Sequence, residues 1–65
     1  MTREKLASLL ENEAHNAAAE RIRCGDDAVI VLRDIHDIKP CYNDNYSRHA
    51  IAIFQKIIDG EESVQ

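Results

Sequence analysis

Few residues in this chain stop a helix: Gly25, Pro40 and Gly60 are the only glycines and proline it has. They sit in Cys24-Gly25-Asp26-Asp27, in Lys39-Pro40-Cys41-Tyr42-Asn43-Asp44 and after Asp59, and they divide the chain into three parts. A polar tail, Glu61 to Gln65, follows and is expected to fray. One domain over residues 1–60 is the most that 65 residues allow. A chain this small buries only roughly 60% of its unfolded surface. Small folds in this position usually add a disulfide, a metal or a second subunit.

Residues 3–24 read as one long helix. Thr2 is placed to cap its start, Glu4 suits the first turn, and Gly25 stands where a C-terminal cap belongs. Ala, Leu, Glu and Arg, all good helix formers, dominate. At 100° per residue, Leu6, Leu9, Leu10, Ala14, Ala17 and Cys24 share one face, and Lys5, Ser8, Asn12, His15, Asn16 and Arg23 the other. Glu13, Glu20 and Arg21 flank or interrupt the apolar stripe. Either they snorkel at its edge or they make polar contacts across a helix–helix interface.

The second part, 27–38, is ambiguous in its first residues. Ala28-Val29-Ile30-Val31-Leu32 could be a short buried strand. The recurrence of Ala28, Val31, Leu32, Ile35 and Ile38 at three and four favours a helix, with Arg33, Asp34 and Asp37 opposite and Asp26 or Asp27 as cap. Val29 and Ile30 then fall outside the stripe and suggest a second buried surface. The third part, 45–59, is the clearest amphipathic helix. Tyr46, Ala50, Ile53, Phe54, Ile57 and Ile58 form a wide face, extended by Ile51. Asn43, Asp44 or Asn45 would cap it and Gly60 end it. The expected fold is all-α, with three helices over 3–24, 27–38 and 45–59.

Length then argues for a partner. At 1.5 Å per residue the three helices span about 33, 17 and 22 Å. A short and a medium helix cannot cover the long one, so a helical-bundle homodimer is expected. Its interface would draw on Leu6, Leu10, Glu13, Ala17, Glu20, Arg21, Val29, Ile30 and Ile51. A separate protein partner would meet Asp34 and Asp37, with Ile30 between them and the helix start.

Few residues here carry chemistry. Cys24, His36, Cys41 and His49 lack the close ligand pairs usual for zinc, so no metal or other cofactor is expected. A Cys24–Cys41 disulfide is possible in number, yet no secretion signal is evident, and a cytoplasmic, reducing setting is expected. Cys41, His49 and Asp44 can be drawn as a nucleophile, base and orienting group. A chain this short has little room for a substrate pocket, and no enzymatic activity is expected. There is no GxGxxG and no GxxxxGK[ST]. No apolar run is long enough to cross a membrane. His15 falls on the polar face, where solvation is the expectation and Glu11, one turn earlier, gives weak support. His36 lies at the rim of its stripe and could be a pH-sensitive interface residue.

Charge separates the two functional readings. Eight Lys and Arg stand against twelve Asp and Glu, a net charge of -4. Residues 1–25 are balanced at four of each sign, so the acidity lies beyond them. An acidic chain disfavours phosphate-backbone binding. Read as helix-turn-helix, Gly25 would introduce a recognition helix that opens on Asp26 and Asp27, which repel phosphate. The leading reading is a small non-enzymatic interaction or regulatory protein that dimerises and binds a protein partner. By association, a very short acidic chain suits an accessory regulator or inhibitor such as phages and mobile elements carry. The alternative is a nucleic-acid-associated regulator using a dimer-generated basic surface from Arg3, Lys5, Arg21, Arg23 and Arg48. No motif points to a known family.

Overall fold

A computed structural model describes the backbone of residues 1–38 and 48–65 and the side chains of 1–35 and 49–65. Four helices follow in order: α1 (Arg3–Asn12), α2 (Asn16–Arg23), α3 (Ala28–Ile38) and α4 (Arg48–Ile58). The fold is all-helical among the described residues, with no strand, so Val29–Leu32 is helical. The three-helix expectation is wrong in one place. The long first helix is two helices, broken at Glu13-Ala14-His15.

The break is a Schellman cap without its glycine. In this motif the residue after the C-cap turns into the left-handed region, and two N–H groups reach back to the last carbonyls. Here Ala14 adopts φ 66°. Its N–H donates to the Glu11 carbonyl at 2.9 Å, and the His15 N–H to Leu10 at 2.8 Å. The same pair of bonds ends α2, from Gly25 to Ile22 at 3.1 Å and from Asp26 to Arg21 at 3.0 Å, with Gly25 at φ 100°. It ends α4 as well, from Gly60 to Ile57 and from Glu61 to Lys56, with Gly60 at φ 83°. Two of these three stops use glycine, and both were legible in the sequence. The third forces an alanine into a conformation that costs L-residues roughly 1–2 kcal/mol.

The starts of α1 and α3 follow their expected caps. Thr2 Oγ1 accepts from the Lys5 N–H at 3.1 Å. Of the two candidates before α3 it is Asp27 that caps, accepting from Val29 at 2.9 Å and Ile30 at 3.2 Å. The candidate caps of α4, Asn43 to Asn45, lie outside the described residues, as do Tyr46 and the side chains of His36, Asp37, Ile38 and Arg48.

Packing runs sequentially, α1 on α2, α2 on α3 and α3 on α4. The core joins Leu6, Ala7 and Leu10 of α1, Ala18, Ala19 and Ile22 of α2, Ala28, Val31 and Leu32 of α3, and Ala50, Phe54 and Ile57 of α4. The break changes which residues of the first segment face inward. Ala14 and Ala17, assigned to the stripe, are exposed, and so is Cys24. Ala18, Ala19 and Ile22 take the buried places. At 100° per residue, the inward faces of α1 and α2 would point about 120° apart on a straight helix. Bending at Ala14 brings them together.

The tail, expected to fray, is hydrogen-bonded to the start of the chain. The Gln65 N–H donates to the Met1 carbonyl at 3.0 Å, and the Arg3 N–H to the Gln65 carbonyl at 3.1 Å. The Met1 amino group meets Glu62 Oε2 at 3.1 Å, and Val64 packs against the core.

The break also removes the premise of the length argument. Neither half of the first segment is long enough to outrun its neighbours. The accessible surface is 4245 Å², against about 4,200 Å² for a compact monomer of this mass. Among the described residues the one large exposed hydrophobic is Ile30, at 55%.

Candidate interaction surface

Bending at Ala14 leaves a groove between α2 and the second half of α3. It is open, about 340 Å³, and its lining includes Ala14, Ala17, Ala18 and Ile35, with His15 and Asn16 also on its wall and Arg21 and Asp34 contributing charge. Alanines make the hollow, since a longer side chain at 14 or 17 would fill it. His15 is half-buried here, not solvated as the single-helix pattern implied.

Arg21 organises the charge on this face. Its Nε donates to Asp26 Oδ2 and its Nη1 to Asp34 Oδ2, both at 3.0 Å. Its hydrogen bonds to Asp26 and then to Asp34 hold its guanidinium above the ordinary arginine value. All three side chains are close to half exposed, so the pair positions α2 against α3 more than it stabilises the fold. Ile30 lies one turn before Asp34 on α3, which places it on the same side of that helix.

Two further arginines are committed within the chain. Arg23 spans two carboxylates of α1, meeting Glu4 at 2.8 Å and Glu11 at 2.7 Å. Its hydrogen bonds hold both carboxyls below their ordinary value and raise the guanidinium above its own. Arg3 Nη1 donates to the carbonyls of Ile22 at 3.0 Å and Asp26 at 2.8 Å. These contacts close α1 onto α2. Sequence spacing could not show them, because residues 4, 11 and 23 become neighbours only once the helix bends. Glu11, expected to support His15, is bound to Arg23 instead.

The expected interface residues scatter. Ala17, Arg21 and Asp34 meet at the groove, with Ile30 beside them. Leu6 and Leu10 are fully enclosed by the chain's own helices. Ile51 is partly buried against the core, as is Val29, which also lines a second hollow of about 290 Å³ with Arg3, Ile57 and Val64. Glu13 is half-buried and Glu20 exposed. The side chain of Asp37 lies outside the described residues.

Of the set Cys41, His49 and Asp44, only the side chain of His49 falls among the described residues, and it is exposed. Among the described residues, no group of three His, Cys, Asp or Glu could hold a metal ion, and no helix is long and apolar enough to cross a membrane. Cys24 is an exposed free thiol. Its suggested partner Cys41 lies outside the described residues, as do Asp44 and the side chain of His36. No family model, curated protein or solved structure matches the chain.

Proposed function

We propose that this chain is a small, non-enzymatic helical interaction module that binds a protein partner through its α2–α3 face. The observation that carries the reading is the groove itself. An open, alanine-floored hollow, an ion pair on its wall and the exposed Ile30 beside it form a mixed apolar and polar patch of the kind proteins use to bind one another. A regulatory role follows as the simplest use of such a module.

The nucleic-acid alternative loses its main asset. Of the expected basic surface, Arg3, Lys5, Arg21, Arg23 and Arg48, the arginines at 3, 21 and 23 are bonded to carboxylates or carbonyls of their own chain, Lys5 is exposed, and the side chain of Arg48 lies outside the described residues. Releasing the bonded arginines to phosphate would open the α1–α2 and α2–α3 contacts. Self-association through a bare long helix loses its ground too, because that helix is bent.

Affinity capture with quantitative mass spectrometry tests the reading. Proteins enriched on the wild type are expected to be lost from both Ile30→Asp and Ala17→Gln, which alter exposed positions and leave the fold intact. Retention on both variants would overturn the proposal. So would tight, salt-sensitive gel shifts with DNA or RNA.

A further inference from the structure

The bend at Ala14 suggests a second arrangement of the same contacts. We propose that α1 exchanges between two copies of the chain, the Glu13–His15 hinge straightening so that residues 3–23 form one helix in a domain-swapped dimer. The inference goes beyond the partner-binding face, whose groove, lined by Ala14 and His15, the straightened hinge would reshape.

Four observations converge. First, the hinge is three residues long and holds neither Gly nor Pro, so nothing in its sequence opposes a continuous helix. Second, Ala14 at φ 66° is held in a conformation that straightening would relieve. Third, the N-cap residue of α2, His15, places no side-chain hydrogen bond on the first N–H groups of that helix. In a continuous helix those groups would bond to the carbonyls of α1. Fourth, the contacts that close α1 onto the rest are re-makeable between copies. Arg23 to Glu4 and Glu11, Arg3 to Ile22 and Asp26, and the packing of Leu6 and Leu10 beside Ala19 and Ile22 need only the same surfaces, not the same chain. The 120° offset between the inward faces of α1 and α2 lets a straight helix serve both bodies. Its second half packs on its own α3 while its first half docks on the other copy. A short strained hinge is the usual route to such exchange.

The test is refolding from denaturant at millimolar and at micromolar concentration, followed by size-exclusion chromatography with light scattering. Wild type is expected to give a dimer fraction only from the concentrated sample, slow to dissociate on dilution. Ala14→Gly removes the strain in the bent form and weakens the straight helix, together worth about thirtyfold at each hinge. With two hinges, its dimerisation constant is expected to fall by approaching a thousandfold. Ala14→Val, which tolerates positive φ least, is expected to move the other way. Circular dichroism distinguishes a folded dimer of raised helix content from an unfolded chain.

A mixing experiment separates exchange from an ordinary dimer. A Glu4→Lys, Glu11→Lys chain and an Arg23→Glu chain each place like charges across their own hairpin. Combined, a swapped heterodimer has opposite charges at both α1–α2 junctions. Preferential heterodimers on co-refolding, falling off with added salt, are the expected result. A wild type that stays monomeric after concentrated refolding would overturn the proposal. So would a dimer insensitive to Ala14→Gly, or random mixing of the charge variants.

Discussion

The α1–α2 hairpin and the α3–α4 pair are similar in size but are held together differently. In the hairpin, α2 contributes mainly alanine to the core, with Ile22 its one large side chain, and arginine ties to α1 surround the contact. Its turn carries a strained alanine. In α3 and α4 the contact is made by Val31, Leu32, Phe54 and Ile57, with Ile35, Ile53 and Ile58 packed around them. Asp27 caps α3 and Gly60 ends α4 without strain. The contrast teaches that both halves bury area in one core, where Leu6, Leu10 and Ile22 are as fully enclosed as Val31 and Ile57. The hairpin adds charged contacts at its rim, which respond to pH and salt, and a turn that its sequence does not favour.

The comparison can be broken at several points. The largest effect is expected at the enclosed leucines, which join the halves. Leu10→Ala should cost about 3–4 kcal/mol and Ile57→Ala a similar amount, read from urea denaturation. A much smaller loss at Leu10 would mean that α1 is held by its ion pairs. Next, Asp27→Ala removes the cap of α3 and should cost about 1 kcal/mol. Ala14→Gly has the opposite sign, a gain of about 0.5–1 kcal/mol, because glycine accepts the left-handed turn. If that variant were less stable than wild type, the bend would not exist in solution.

Acid should loosen the hairpin before α3–α4. Glu4 and Glu11 have folded values below the ordinary 4.5 because Arg23 hydrogen-bonds their charged forms. Their contribution is therefore complete above that value and is lost as pH falls through the depressed folded values. Amide exchange followed as the pH is lowered below about 4.5 should show protection lost first in α1 and α2, after correction for the intrinsic rates. In Arg23→Gln that difference should shrink. The smallest effect belongs to Ile30→Asp. At an exposed position it should change stability by no more than about 0.5 kcal/mol, while removing partner capture.

Most of the helical architecture was legible in the residues, and its one error has a physical cause. Thr2, Asp27, Gly25 and Gly60 announce helix ends through side-chain oxygens or absent Cβ atoms, and the structure uses all four. The stripe Ala28, Val31, Leu32, Ile35 overrode the strand propensity of Val29-Ile30-Val31, as its period required. Ala14 announces nothing, since alanine is the best helix former. The signal that was available is one of phase. Leu6 and Leu10 point one way and Ala18 and Ile22 another, which a single straight stripe cannot satisfy. Ala14, Ala17 and Cys24 fitted a continuous pattern and drew the stripe past the break. The groove at Ala17, Arg21 and Asp34 was thus seen as residues but not as a site. The Arg23 clamp was invisible, because its partners are twelve and nineteen positions away.

The bent hairpin is the claim on which the rest depends, and proton NMR on a dilute sample tests it directly. Arg3 Nη1 sits 3.0 Å from the Ile22 carbonyl, whereas in a straight helix residues 3 and 22 would lie about 28 Å apart. Cross-peaks between the Arg3 side chain and Ile22, with medium-range helical contacts interrupted at Ala14, are predicted. Unbroken helical contacts through Glu13–His15 and no Arg3–Ile22 peak in a monomer would contradict the account.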